Sequence, residues 1–250
     1  MIAFNPSFAD KVVLVTGASR GIGRAAALAF AQAGAQVIAC ARTTGALEAL
    51  DDEVQALGLP PLTLVPFDIA DGEAIDRLGL AIHERWGRLD VLISNAGELG
   101  VLTPAPHTEV KAWDKAVAVN LTATFRLIRS FDPLLQASAA GRAVFVSSGI
   151  AQKPRAFWGA YAATKAGTEA LVAVYADECE HSKVRCALVN PGPMRTRMRA
   201  AAFPGEDPEG LTPPEALAPL LRELARSDRD PPAGVVNYRD WALGKTSEGA

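Results

Sequence analysis

The chain has 250 residues and a mass of 26.2 kDa, with 49% apolar and 21% charged residues, the balance of a soluble globule large enough for one sizeable core. A net charge of −3 and a pI near 5.7 argue against nucleic acid or an anionic membrane surface as the main partner. The start, "MIAFNPSFAD", lacks the basic residues and apolar run of a signal peptide, and the three cysteines form no C-x-x-C pair, so a cytoplasmic protein with reduced thiols is expected.

In chain order, short β-branched runs recur: "KVVLVTG" from Lys11, "AQVIACAR" from Ala35, "LTLVPFD" from Leu62, "LDVLISNAG" from Leu89, "RAVFVSS" from Arg142 and "VRCALVNPG" from Val184. They are almost continuously apolar, as strands buried on both faces are. Between them lie stretches rich in Ala, Leu and Glu at helical period, such as "GRAAALAFAQAG" and "TEALVAVYADECEH". Strand, helix, strand at this spacing implies right-handed βαβ units. The expectation is an α/β fold over residues 1–250: one doubly wound domain whose parallel sheet is covered by helices on both sides. Pro and Gly gather after Asn190, and a long loop closing over a site is expected at about 193–214.

Directly after the first run comes "TGASRGIGRAA", with Gly17, Gly21 and Gly23. Glycines that end a strand and open a helix let backbone approach a pyrophosphate, and the helix start offers free N–H groups and a positive dipole end. A carboxylate closing the second strand would bond the ribose hydroxyls of NAD. Ala41 stands there, with Arg42 beside it and Arg20 inside the glycine turn. Two guanidiniums and no carboxylate suit a 2′-phosphate, so NADP(H) is expected over NAD(H). Asp68 and Ile69 would lie near the adenine, although Asp68 could equally cap a helix.

"WGAYAATKAGTEAL" holds Tyr161 and Lys165 one helical turn apart. An ammonium about 5 Å from a phenol, at an effective dielectric near 20, favours the phenolate by roughly 3 kcal/mol, or about two pKa units. That would bring a phenol into the range for proton exchange with a carbonyl or alcohol oxygen. The three histidines, His83, His107 and His181, are scattered without metal-ligand spacing, and no metal is expected.

Together, "TGASRGIG", "SNAG", Asn120 in "AVNLTATF", Ser148 in "VFVSSG", "YAATK" and "NPGPMRT", with 13 residues from Ser148 to Tyr161, resemble the short-chain dehydrogenases/reductases from Lys11 to about Tyr238. The lid with "RAFWGAYAATK" is similar to bacterial oxidoreductases of the YciK type. The resemblance implies a sheet of about seven strands and reversible hydride transfer between a nicotinamide and a carbonyl or alcohol substrate. Tyr161 would be the acid/base, Lys165 would also hold the nicotinamide ribose, Ser148 would hold the substrate oxygen and Asn120 would anchor a proton-relay water. Gly17, Ser19, Arg20, Gly21, Ile22 and Gly23 would contact the cofactor, as would Asn95, Ala96, Gly97, Pro191 and Gly192; Thr196 would bond the carboxamide. For Asn95, a purely supporting role beneath the fourth strand is the competing reading. So is an ordinary buried amide for Asn120.

The family's first Asn of "NNAG" is Ser94 here, and the usual "DGG"-like ending is replaced by "AGVVNYRDWALGKTSEGA". A homodimer or homotetramer is expected, the tetramer less firmly because of that ending. Arg195, Arg197 and Arg199 make the lid basic; they would suit an anionic substrate, or else pair with Glu206, Asp207 and Glu209. Phe157, Trp158 and Phe203 could wall the pocket. The rival function is a redox sensor that reads NADP(H) without turnover.

Overall fold

The structure, a computed structural model, describes residues 7–245. Seven strands form one parallel sheet: β1 (Val12–Thr16), β2 (Gln36–Ala41), β3 (Thr63–Pro66), β4 (Val91–Ser94), β5 (Arg142–Val146), β6 (Arg185–Asn190) and β7 (Val235–Asn237). Their spatial order is β3-β2-β1-β4-β5-β6-β7. The helices are α1 (Gly21–Gln32), α2 (Thr44–Ala56), α3 (Gly72–Trp86), α4 (Val110–Ala116), α5 (Ala123–Ala137), α6 (Gly159–Glu178), α7 (Arg197–Ala202), α8 (Ala218–Leu224) and α9 (Tyr238–Ala242).

The near-continuous apolar runs have a simple cause: alternate residues feed two different cores. In β1, Val13 and Val15 join a cluster with Phe30 of α1, Leu47 and Leu50 of α2, and Leu221 of α8. Val12 and Leu14 point the other way, to Ile75 of α3, Leu127 and Phe131 of α5, and Val172 of α6. Neither face of β1 meets water, so neither can be polar. The chain order reverses between β1 and β4, and such a switch point opens a crevice beyond the carboxyl ends of the strands.

One local expectation needs revision. Residues 193–214 are not one irregular loop. They contain α7 and a 3-10 turn at Pro208–Gly210, with Arg195 N–H bonded to Thr212 C=O at 2.8 Å. Thr196 caps α7 by accepting from Arg199 N–H, Asp207 caps the 3-10 turn by accepting from Glu209 N–H, and the Ala/Arg run between is strongly helix-forming. The expected seventh strand is present despite the divergent carboxyl end: β7 pairs with β6, and Asn190 Nδ2 donates to Asn237 Oδ1 at 2.8 Å.

At the opposite end of the sheet, Asp90 ties the core together. Its buried carboxylate accepts from Val12 N–H at 2.9 Å and Ser138 O–H at 2.6 Å, and pairs with Arg88 at 3.1 Å and Lys11 at 3.5 Å. Burial alone would push its pKa up, but these donors and cations hold it below the ordinary value. Its stabilisation is therefore complete above the unfolded-state pKa and disappears as pH falls through the lower folded value. Asp90→Asn should lose about 1–3 kcal/mol at neutral pH by urea unfolding, with the gap to wild type closing in acid; an unchanged midpoint at neutral pH would show the carboxylate to be dispensable.

Candidate active site

The crevice begins where β1 ends. Thr16 Oγ1 accepts from Asn95 N–H at 2.9 Å and Ala96 N–H at 3.0 Å, so it binds the end of β4 to the end of β1. The Asn95 side chain donates to Thr16 C=O at 3.0 Å and lies against Gly17 C=O at 3.5 Å. This explains two of the glycines. A Cβ on Gly23 would sit 2.3 Å from Gly17 O and 2.5 Å from Asn95 Nδ2, and one on Gly17, where φ is +68°, would meet the same nitrogen at 2.9 Å. Asn95 is thus the strut beneath the turn, and Thr16 is a site residue that a reading of the glycines alone passes over.

Gly21, Ile22 and Gly23 form the first turn of α1, and Arg24 N–H is the first to bond back, to Arg20 C=O. Among the described residues no side chain caps this start and its first turn holds no acid, so an anion has N–H groups and the dipole to itself. Ser19 is half-buried beside it and Arg20 is exposed. Arg42 follows β2 and is also exposed, 3.8 Å from Asp68. Asp68 does not cap α3, whose cap is Asp71 accepting from Ala74 N–H; it accepts from Ala70 N–H at 3.0 Å in the turn before that helix, while Ile69 packs on the core.

Gly97 brings the strut to the catalytic side: a Cβ there would be 3.4 Å from Asn120 Oδ1 and 3.7 Å from Lys165 Nζ. Asn120 lies in a π-helical turn, Val117–Thr122, between α4 and α5. Its side chain makes three hydrogen bonds: Oδ1 accepts from Glu98 N–H at 2.8 Å, and Nδ2 donates to Glu98 C=O at 2.9 Å and Thr164 Oγ1 at 3.0 Å. Its backbone carbonyl accepts from the hydroxyls of Thr124 and Thr168. The carboxamide therefore clamps the β4 loop to α6.

On α6, Tyr161 and Lys165 are both buried. Lys165 Nζ donates to Val146 C=O at 2.9 Å and lies 6.0 Å from the Tyr161 ring centroid. Burial lowers its pKa to about 8, with the charge of Glu169 working against the shift. The Tyr161 phenol moves opposite to the expectation from sequence. Burial pushes its pKa up, and the nearby Ser148 hydroxyl offsets this only in part. The Coulomb argument left out the desolvation of the phenolate, which is the larger effect here. The two serines after β5 divide their work: Ser147 donates to Glu169 Oε1 at 2.5 Å, and Ser148 faces the phenol.

The last wall comes from the segment after β6. Gly192 (φ +68°) follows Pro191, its N–H held by Asn190 Oδ1 at 3.1 Å. The Thr196 methyl carbon lies 3.4 Å from where a Gly21 Cβ would be, so α7 starts against the glycine turn. Met198, one residue past the start of that helix, puts its sulfur 3.8 Å from the Tyr161 hydroxyl. Sequence reasoning had no signal for Met198.

A glycine turn over the uncapped start of α1 and a buried Tyr–Lys pair on α6, which packs on the other face of the sheet, define a dinucleotide-dependent oxidoreductase site. The chain belongs to the short-chain dehydrogenase family, whose family model matches residues 11–207. It is similar to the uncharacterised oxidoreductase YciK of Escherichia coli (strain K12), at 39% identity over 91% of this chain and 90% of that one. It also resembles a benzil reductase of Saccharomyces cerevisiae, at 31% identity over 90% and 88% of the two chains. Among solved structures, a short-chain dehydrogenase from Shigella flexneri complexed with NADP superposes with a TM-score of 0.89 at 36% identity, covering 94% of this chain and 99% of that one.

Gly23→Ala tests the strut. Overpacking against Gly17 C=O and Asn95 should cost about 1–3 kcal/mol in thermal unfolding, together with most of the dinucleotide affinity; a variant of unaltered stability and affinity would mean that the turn has slack.

Proposed function

We propose that the protein is an NADP(H)-dependent reductase, and in reverse a dehydrogenase, acting on a carbonyl/alcohol pair. The observation that carries this reading is the buried Tyr161 phenol one helical turn before the buried Lys165 ammonium, at the mouth of a glycine-lined crevice. The crevice suits a dinucleotide because its glycines leave no room for a Cβ at Gly23 and its helix start offers unpaired N–H groups. Bound there, the nicotinamide supplies the hydride.

The chain's own residues supply the proton. Because burial raises its pKa, Tyr161 rests protonated at neutral pH, the state needed to donate to a carbonyl oxygen as hydride reaches the carbon. Ser148 holds that oxygen against the phenol. The phenolate left behind is stabilised by the Lys165 ammonium, which at a pKa of about 8 is largely retained at neutral pH. The Asn120 clamp fixes the backbone beside this pair, and Thr196, Pro191 and Gly192 line the nicotinamide side.

NADP(H) is favoured over NAD(H) by Arg20 and Arg42 and by Ala41 in place of an acid, and the relatives complexed with NADP or NADPH support the same choice. When a 2′-phosphate binds, Arg42 exchanges its exposed partner Asp68 for it. Residues 1–250 act as one domain with 193–214 as its lid. A dimer is built on α4, α5 and α6, which leave Val110, Trp113, Phe125 and Val174 exposed. A sensor without turnover is disfavoured, since a sensor has no need of the proton donor kept here.

Tyr161→Phe should lower kcat by at least about a hundredfold while the dissociation constant for NADPH barely moves; retained turnover would reject the assignment. Arg42→Ala should weaken NADPH binding about tenfold or more and leave NADH little changed, measured by fluorescence titration. An equal loss for both cofactors would place the phosphate elsewhere.

A further inference from the structure

We infer that the substrate presents an uncharged, apolar group beside its carbonyl, seated between Trp158 and Met198, and that Met198 is the side chain that selects it. The inference rests on the reductase reading and extends it to a substrate class.

The surroundings of the Tyr161 hydroxyl are apolar on every side that α6 and the lid contribute. Tyr161 clusters with Ile150 and Ala162, and against them pack Leu99, Trp158 and Met198. The Trp158 ring lies 6.0 Å from that of Tyr161 and 5.7 Å from that of Phe203, so aromatic faces run from the phenol out to the lid. Phe157, which the sequence also offered as a wall, is 56% exposed and takes no part. The Tyr161 O–H points at Met198 Sδ, where a substrate oxygen would have to be received. The thioether therefore holds the carbonyl's place and must swing aside to admit it. Methionine does this readily: it is unbranched, and its polarisable sulfur keeps favourable contact with aromatic rings in several rotamers.

Of the lid's three arginines, which from sequence could have suited an anion, two are paired within the lid and the third lies toward the glycine turn. Arg199 forks onto Glu206 through two bonds of 2.5 and 2.6 Å, and its guanidinium lies 3.7 Å above the Phe203 ring. Arg195 bonds Glu209 at 2.9 Å. Arg197 lines a cleft with Arg20, Gly21 and Arg24, on the glycine-turn side. A carboxylate beside the carbonyl would enter the apolar seat with none of these to pair it, at a large desolvation cost.

The test compares two alcohols that share one ring. The NADPH-bound protein is titrated calorimetrically with benzyl alcohol and with 4-(hydroxymethyl)benzoate. The neutral alcohol should bind at least about tenfold more tightly, as expected when a carboxylate must be buried unpaired. In Met198→Lys, with folding checked by thermal melting, the preference should shift toward the carboxylate by about tenfold or more. Tighter or equal binding of the carboxylate by the wild type, or binding of neither alcohol, would overturn the inference. If the neutral alcohol binds as expected but benzaldehyde is not reduced by NADPH, the seat stands and the reductase reading falls instead.

Discussion

The buried ammonium of Lys165, tied to the Val146 carbonyl at 2.9 Å, is the constraint from which the site follows. A charge with almost no water around it is costly unless a partner holds it. The carbonyl at the end of β5 is that partner, so α6 cannot rotate without stranding the ammonium. Fixing α6 fixes Tyr161 one turn earlier, near Ser148, which leaves the same strand two residues after Val146. One interaction thus sets both the position of the proton donor and the charge that receives its conjugate base. Glu169, one turn further along α6, supports the arrangement twice, by bonding Ser147 and by raising the pKa of Lys165.

A second strut does for the dinucleotide what Lys165 does for the proton. The Asn95 carboxamide fills the space that side chains on Gly17 and Gly23 would otherwise occupy, and Thr16 holds the backbone that carries it. The glycines are therefore demanded by the protein's own packing before any ligand is considered. Asn120 joins the two struts, clamping Glu98 after β4 to Thr164 on α6. Its π-helical turn leaves its carbonyl to the hydroxyls of Thr124 and Thr168, an irregularity of the sort that accompanies functional positions in helices.

The sheet was legible because burial on two faces forces an unbroken apolar run, and six of the seven strands announced themselves in this way. β7 did not, being only Val235–Asn237 at an edge. The glycine turn and the Tyr161–Lys165 step were legible because their spacing is local. What escaped depends on contacts between distant parts of the chain. Thr16 and Asn95 are 79 positions apart, and Tyr161 and Met198 are 37 apart; no local periodicity encodes either meeting. The helix in the lid was hidden by flanking prolines and glycines, although its cap, Thr196, was in plain view. The direction of the Tyr161 shift failed for another reason: the charge of a neighbour can be guessed from spacing, whereas the loss of water around a phenol needs the packed fold.

The central claim is that a buried lysine, charged at neutral pH, supports proton donation by Tyr161. Single-turnover hydride transfer from NADPH to a neutral aldehyde, followed across pH, tests it most directly. The account predicts a rate that is level under neutral conditions and falls as Lys165 loses its proton, with an apparent pKa near about 8. A rate that stays level until free phenols ionise would contradict it, because proton donation would then be indifferent to the charge of Lys165.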